Sequence, residues 1–315
     1  MKSRVATLLV VLGVLVACIP GVPAAAALLA GICVALVLGN PVVDRTRVLA
    51  RKLLPAAVVG LGGAMDLGAV LRAGARGIGY TVASISACAV LGIVLARALA
   101  VDRRTGILVT VGTAICGGSA IAAAAPVLGA DDRETSVSLA TVFMLNSVAL
   151  VVFPPMGHLA HLGEPAFGLW AALAIHDTSS VVGAALQYGP TALAVATTVK
   201  LARALWIVPV TLGLGAVESR RGGGERRSAS PPWFILGFVA MAAVTTYVPE
   251  LRSAGRLASA IATRALVVTL FLIGLGLSRE SLRAVGARPL VLGVALWIAM
   301  GAGTLAAIRL GLAAF

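Results

Sequence analysis

A series of apolar segments, each close to the length that crosses a lipid bilayer, constrains this chain more than any other feature of its sequence. Hydrophobic residues make up 60% of the 315 residues and charged residues 12%, and the mean hydropathy of +1.04 lies outside the range of soluble domains. A helix needs about twenty apolar residues to span the hydrocarbon. Eleven segments meet or approach that length: 5–19, 22–38, 53–71, 78–96, 106–128, 137–157, 167–186, 193–216, 233–248, 265–277 and 290–312.

These segments predict an all-α fold, because hydrocarbon cannot satisfy the N–H and C=O groups of any open backbone structure. We expect a polytopic bundle of about eleven transmembrane helices, or ten if one short segment does not cross. The chain is then one membrane domain over 1–315. Residues 1–21 form a possible extra N-terminal span, 22–217 the main group, 218–232 a cytoplasmic linker rich in Gly, Arg and Ser, and 233–315 the last three spans.

The basic residues cluster in the short connections between segments, which explains the net charge of +13 without a nucleic-acid partner. With the N-terminus inside, the cytoplasmic connections hold more than twice as many Lys and Arg residues as the opposite side, to which this count assigns Arg133. The sequence therefore predicts a multi-pass membrane protein with its N-terminus in the cytoplasm, and the family resemblance given below implies the bacterial inner membrane. The bilayer is the expected partner, and a homodimer is the candidate assembly.

Residues 112–125 (G-T-A-I-C-G-G-S-A-I-A-A-A-A) place two adjacent glycines inside an apolar segment. Each glycine weakens a helix by about 1 kcal/mol, and unwound backbone at membrane depth is tolerated only where it lines a cavity. We expect a broken helix whose exposed ends face an ion or substrate, with close helix packing as the alternative. The candidate binding residues here are Thr113, Cys116, Gly117, Gly118 and Ser119.

Residues 174–180 (A-I-H-D-T-S-S) place five polar groups inside another apolar segment. An ionised carboxylate at this depth costs about 2.5–3.5 kcal/mol and needs a partner or a function. Asp177 could carry a proton, bind a cation or pair with a buried base, and His176 could relay protons. The candidates are His176, Asp177, Thr178, Ser179 and Ser180, with an internally satisfied polar cluster as the alternative.

Lys200 and Arg203 in the next segment are the obvious opposite charges for Asp177. They are three residues apart, so on a helix they share one face and could converge on one anion. If Lys200 and Arg203 pair with Asp177, or extend their side chains to the membrane surface, they are less available to bind a substrate. Asn146 adds an amide that could contact a substrate or another helix.

Two internal similarities suggest repeats. Residues 60–76 (G-L-G-G-A-M-D-L-G-A-V-L-R-A-G-A-R) are similar to 274–288 (G-L-G-L-S-R-E-S-L-R-A-V-G-A-R), and the eleven-span count gives them opposite directions, as an inverted repeat requires. Residues 114–120 (A-I-C-G-G-S-A) are similar to 174–180, but the same count makes those two helices parallel.

The strings from Gly112 to Pro209 carry a family resemblance, above all G-T-A-I-C-G-G-S-A, V-F-M-L-N-S-V-A-L, A-L-A-I-H-D-T-S-S and A-T-T-V-K-L-A-R. The chain resembles the YeiH family of bacterial inner-membrane proteins, which are named as sulfate exporters. More distantly, it is similar to the superfamily of bile acid:sodium symporters and cation:proton antiporters. That resemblance implies crossed, discontinuous helices at 112–126 and 176–180, a second panel of helices, and alternating access.

The sequence favours a secondary transporter of a small anion, a sulfate-like oxyanion or related organic anion, coupled to H⁺ or Na⁺. The alternative is a cation:proton antiporter in which Asp177 binds the cation and Lys200 is its counter-charge. An intramembrane enzyme is disfavoured, because adjacent helical residues such as His176 and Asp177 point in different directions. No nucleotide-binding motif or cofactor site is indicated, and the four cysteines have neither disulfide nor metal-ligand spacing.

Overall fold

Helices account for all the regular secondary structure in the computed structural model, which describes residues 2–22, 24–220, 233–276 and 286–312. The predicted all-α membrane helix bundle is confirmed. The helices are α1 Lys2–Cys18, α2 Ala24–Leu38, α3 Val43–Leu61, α4 Leu67–Ala98, α5 Arg103–Ala114, α6 Gly118–Leu128, α7 Asp132–Leu159, α8 Glu164–Ala174, α9 Thr178–Tyr188, α10 Pro190–Ala204, α11 Ile207–Ser219, α12 Trp233–Tyr247, α13 Arg252–Gly274 and α14 Ala287–Arg309. Short 3₁₀ helices cover Gly62–Ala64 and Pro249–Leu251.

Five helical stretches in the described part of the chain are long and apolar enough to cross a membrane. They are Gly79–Ala98, Arg133–Leu159, Pro190–Ser219, Pro249–Gly274 and Ala287–Arg309. Several shorter apolar helices, such as Ala26–Leu38 and Phe234–Tyr247, accompany them. Four of the five correspond well to predicted segments, whereas the fifth begins well before the predicted segment 265–277, which starts in the second half of α13.

The predicted third segment, 53–71, is wrong in its boundaries. Helix α3 begins ten residues earlier, at Val43, and ends at Leu61, where the 3₁₀ turn Gly62–Ala64 interrupts the helix before α4. The interruption allows close backbone packing, because a Cβ on Gly63 would lie 3.0 Å from the Gly255 Cα of α13. Small residues permit such approaches between membrane helices.

Helices α5 and α6 form a hairpin that enters and leaves the bundle at the same end. At its open end, Arg104 Nη1 lies 3.8 Å from Glu134 Oε2, just beyond α6. Further in, a Cβ on Gly112 would lie 2.8 Å from Ile121 Cδ1, so the two helices pack along their length. We call the end that holds residues 97–105 and 129–134 the basic end.

Helices α8 and α9 form a second hairpin, which opens at the opposite end of the bundle. The carboxylate of Glu164 at the start of α8 accepts a hydrogen bond from the Thr191 backbone N–H, at 2.7 Å, just after α9. The rings of Phe167 and Tyr188 stack with their centroids 3.7 Å apart, and Tyr188 Oη donates to the Leu162 carbonyl at 2.6 Å. The two ends of this hairpin are therefore adjacent.

The helices that follow the hairpins run the full length of the bundle. Helix α7 begins beside α5 at the basic end and finishes at the opposite end, where His158 stacks on Tyr188. The α10–α11 pair begins beside Glu164 and returns to the basic end, where Glu218 forms an ion pair with Arg103 at 2.8 Å. A hairpin followed by a crossing helix thus occurs twice, with opposite direction.

This arrangement corrects the predicted topology. Segments 106–128 and 167–186 do not cross the bundle, because each reverses direction halfway. Arg133, which the count of eleven spans assigned to the outer side, lies at the basic end with Asp102 and Arg288, all three lining one cavity of about 490 Å³. The first reversal turns α7 around, and the second restores the predicted direction from α10 onward, so the charge asymmetry survives and, with Arg133 at the basic end, is strengthened.

The similarity between 114–120 and 174–180 marks the inverted pair, since the hairpins enter from opposite ends. The similarity between 60–76 and 274–288 cannot be compared in the same way, because 277–285 lie outside the described residues. The linker predicted at 218–232 also lies outside them, apart from its first three residues.

Candidate functional site

The turns of the two hairpins, which we call tip 1 (Ile115–Gly117) and tip 2 (Ile175–Asp177), meet inside the bundle. A Cβ on Gly117 would lie 2.9 Å from the Asp177 Cβ. Gly117 also has φ +66° and ψ −125°, a conformation that is open to glycine and strained for other residues. Helices α5 and α6 have 12 and 11 residues, which is about 18 Å at 1.5 Å per residue. The tips therefore lie near the middle of a hydrocarbon layer about 30 Å thick.

Asp177 caps the N-terminus of α9 from tip 2. Its Oδ1 accepts hydrogen bonds from Ser179 N–H at 2.6 Å and Ser179 Oγ at 2.5 Å. Its Oδ2 accepts from Ser180 Oγ at 2.6 Å and, more weakly, from Ser180 N–H at 3.4 Å. Four donors and the N-terminus of α9 thus surround the carboxylate. Asp177, Ser179 and Ser180 of the predicted motif thus form one hydrogen-bonded unit.

Arg203 contacts the C-terminal ends of both inward-running half-helices. Its Nε donates to the Ala114 carbonyl at the end of α5, at 2.6 Å. Its Nη1 donates to the Leu173 carbonyl near the end of α8, at 2.6 Å. The last carbonyls of a helix have no partner within the helix and carry its negative partial charge, so a cation there is stabilising. Arg203, which is fully buried, ties the two hairpins together.

Lys200 performs the same task for α8 alone. Its Nζ donates to the Ile175 carbonyl at 2.7 Å and to the Ala172 carbonyl at 3.3 Å. The expected ion pair with Asp177 is absent from the described residues, and Lys200 is also fully buried. In this structure both cations compensate helix ends, and neither side chain reaches an open surface.

Several buried polar groups around the tips lack a hydrogen-bond partner among the described residues. Asn146 of α7 accepts the His176 backbone N–H through Oδ1 at 3.2 Å, but its Nδ2 has no acceptor. Both ring nitrogens of His176 and the hydroxyl of Thr113 are also without partners. Buried polar atoms in native proteins are nearly always satisfied. These groups thus have hydrogen-bonding capacity that a ligand or water could use.

The N-terminus of α6 is the open part of the site. No side chain of the described residues caps it, and Gly118 is half-buried while Ser119 is exposed. The Ala120 N–H lies beside the thiol of buried Cys116, which is a weak acceptor. Thr178, next to Asp177, is half-buried as well. The positive end of one half-helix is therefore accessible.

The charges at the tips do not balance within the protein. Two buried cations, Lys200 and Arg203, face one buried carboxylate, Asp177. The negative ends of α5 and α8 offset part of the excess, and each helix end amounts to about half an elementary charge. The positive ends of α6 and α9 cancel that offset. The described part of the tips therefore holds more basic than acidic side chains.

Sequence reasoning missed the carbonyl acceptors and Glu164, which closes the open end of the second hairpin. Backbone acceptors carry no residue-type signal, so Ala114 and Leu173 could not be identified in advance. The Gly189–Pro190 dipeptide is a turn signal that marks the end of α9. It does not tell whether the chain has crossed the bundle at that point.

Comparisons with known proteins agree with a membrane protein of this kind. A UPF0324 membrane protein of Bdellovibrio bacteriovorus is 54% identical over 98% of this chain and 96% of its own. One from Geobacter sulfurreducens is 48% identical over 92% of both chains. One from Photobacterium profundum is 49% identical over 84% of this chain and 79% of its own. No solved structure matches the chain.

The profile of a family described as conserved hypothetical protein 698 matches residues 5–293. That range includes both hairpins, both tips and the helices that carry Asn146, Lys200 and Arg203. The chain belongs to this family, whose UPF0324 members are membrane proteins.

Proposed function

We propose that this protein is a secondary transporter of a small oxyanion, such as sulfate or a related organic anion. The observation that carries the proposal is the meeting of two oppositely directed hairpins near mid-depth, around an excess of buried positive charge. Exposed half-helix N-termini at the midplane are used for anionic substrates by transporters built from inverted repeats. The family resemblance points the same way.

Alternating access follows from the inverted arrangement. Each hairpin reaches only about half of the membrane, one from each end, so a displacement at either hairpin would open the tips toward one side. The same anion site would then face the cytoplasm or the exterior in turn. Arg203 keeps the two tips in register, because its guanidinium bonds to both.

Asp177 is the coupling residue in this proposal. Its carboxylate lies beside Gly117, so an anion at the tips would be repelled by it, and a bound H⁺ or Na⁺ would relieve that repulsion. In the alternative, a cation:proton antiporter, Asp177 would hold the transported cation. Both of its oxygens already accept two hydrogen bonds each, so in either case the bound ion would displace or share these donors.

Flux measurements in proteoliposomes test the proposal. We expect saturable uptake of ³⁵S-labelled sulfate or of another small oxyanion from a panel, driven by an imposed pH or sodium gradient. Protein-free liposomes and liposomes containing Asp177→Asn are the controls. Cation flux without any anion flux would favour the antiporter, and absence of all solute flux would contradict a transport function.

A further inference from the structure

The two hairpins correspond residue by residue, and the correspondence places unlike groups at equivalent positions. The same sequence spacing separates Ala114 from Ala174, where the first halves end, and Gly118 from Thr178, where the second halves begin. The N-cap is Gly117 in tip 1 and Asp177 in tip 2. A carboxylate therefore occupies the N-terminus of α9, whereas the equivalent position of α6 has no side chain.

Ser179, one of the two serines that hold the Asp177 carboxylate, has a counterpart at the N-terminus of α6, whereas the other, Ser180, corresponds to Ala120. Ser179 gives Asp177 both its N–H and its hydroxyl, and Ser119 is the equivalent residue of α6. Ser119 is exposed, whereas Ser179 is buried. The serine two residues after the N-cap is thus occupied by a carboxylate at tip 2 and accessible at tip 1.

A second, independent observation supports a ligand at tip 1. Val142 and Phe143 of α7 face Gly117 and Gly118, with 3.3 Å from a Gly117 Cβ to Val142 Cγ1 and 2.8 Å from a Gly118 Cβ to Phe143 Cζ. Asn146 lies one turn further along the same face, is 2% exposed, and has an Nδ2 group without an acceptor. Its Oδ1 is already held at tip 2 by the His176 N–H, while the preceding turn of α7 packs on tip 1.

We propose that the anionic group of the substrate binds at the N-terminus of α6, in the position that the Asp177 carboxylate holds at the N-terminus of α9. The inference rests on the proposed transport function and specifies its binding site. The ligand is a group with carboxylate-like or sulfate-like oxygens, small enough to accept from the N–H groups of Gly118 and Ser119 and from the Ser119 hydroxyl. Asn146 Nδ2 is a further donor.

Gly118→Pro tests the site, with Gly118→Ala as its matched control. Proline fits the first position of a helix but removes the N–H, whereas alanine adds a similar Cβ and keeps the N–H. A hydrogen bond to a charged group contributes about 1.5–3 kcal/mol, which corresponds to about tenfold or more in affinity. We expect the KM for sulfate to rise about tenfold in Gly118→Pro relative to Gly118→Ala.

Ser119→Ala should raise the KM in the same direction, whereas Ser147→Ala should leave it unchanged. Ser147 is a matched control because it is a half-buried serine whose hydroxyl donates to its own helix, at the Phe143 carbonyl. Equal KM values in Gly118→Pro and Gly118→Ala, together with an unchanged KM in Ser119→Ala, would overturn the site and leave sulfate transport standing.

A binding measurement separates failure of the site from failure of transport. In a Cys18→Ala, Cys33→Ala background, which lacks the two exposed cysteines, Ser119→Cys is treated with an anionic methanethiosulfonate reagent. We expect sulfate, but not chloride at equal ionic strength, to slow modification. Protection without flux would support the site and contradict transport, whereas flux without protection would overturn the site.

Discussion

Arg203 is a buried cation whose partners are three backbone carbonyls of two different hairpins. Truncating it would leave these acceptors buried and unpaired, at about 1–3 kcal/mol for each that stays unsatisfied. We predict that Arg203→Met lowers the free energy of unfolding by about 2–4 kcal/mol, measured by thermal unfolding in detergent. Arg203→Lys should recover only part, because lysine cannot reach both tips.

The control is Arg97→Met, since Arg97 is exposed. Its effect should stay within about 0.5 kcal/mol, as is usual for surface substitutions. Equal stabilities for Arg203→Met and Arg97→Met would show that the carbonyl contacts do not hold the tips together.

Gly117 is the other residue on which the tips depend. A side chain there meets both a positive φ and the Asp177 Cβ at 2.9 Å. We predict that Gly117→Ala abolishes anion flux and lowers stability by about 1–3 kcal/mol, the usual cost of backbone strain. Gly79→Ala on α4 is the control, because a Cβ at Gly79 meets nothing within 4 Å. Full activity in Gly117→Ala would contradict close contact between the tips.

At the scale of elements, the chain has two aspartate N-caps, and comparing them tests helix capping separately from transport. Asp177 caps α9 at the tips, and Asp131 caps α7 at the basic end through a capping box with Glu134. We predict that either aspartate changed to alanine costs about 1 kcal/mol of stability. Only Asp177→Ala should also remove gradient-driven flux, measured per amount of folded protein. Equal flux in the two variants would reduce Asp177 to a structural cap.

The sequence located the broken helices but could not reveal that they reverse. Polar and glycine residues inside apolar segments identified both tips correctly, because such groups are costly in hydrocarbon. The halves of the first hairpin, with 12 and 11 residues, together have the length of one membrane span. Hydropathy depends on length and composition, so it cannot distinguish a crossing helix from a hairpin of two half-length helices.

The roles of Lys200 and Arg203 were unpredictable for a related reason. A buried cation suggests an acidic partner, and Asp177 was the acid inside the preceding apolar segment. The actual partners are carbonyls that become available only because α5 and α8 end at the tips. Tertiary packing decides which helix ends meet, and the residue types do not indicate it.

At the scale of the whole molecule, the bundle combines two opposed hairpins with helices that run from end to end. Helix α14 shows the full length, because Arg288 donates to the Ala100 carbonyl at the basic end and Arg309 to the Ala160 carbonyl at the other. The composition correctly indicated a membrane helix bundle. The order and direction of the elements emerged only from contacts between distant residues.

The opposed hairpins are the central claim, and labelling of single cysteines tests them most directly. The variants are Arg97→Cys, Arg133→Cys, His161→Cys and Thr191→Cys, four exposed positions introduced into a background without Cys18 and Cys33. In spheroplasts, a membrane-impermeant maleimide should label residues 161 and 191 and reach 97 and 133 only after lysis. Labelling of 97 and 133 from opposite sides, or of 161 and 191 from opposite sides, would contradict the hairpins and restore the crossing helices.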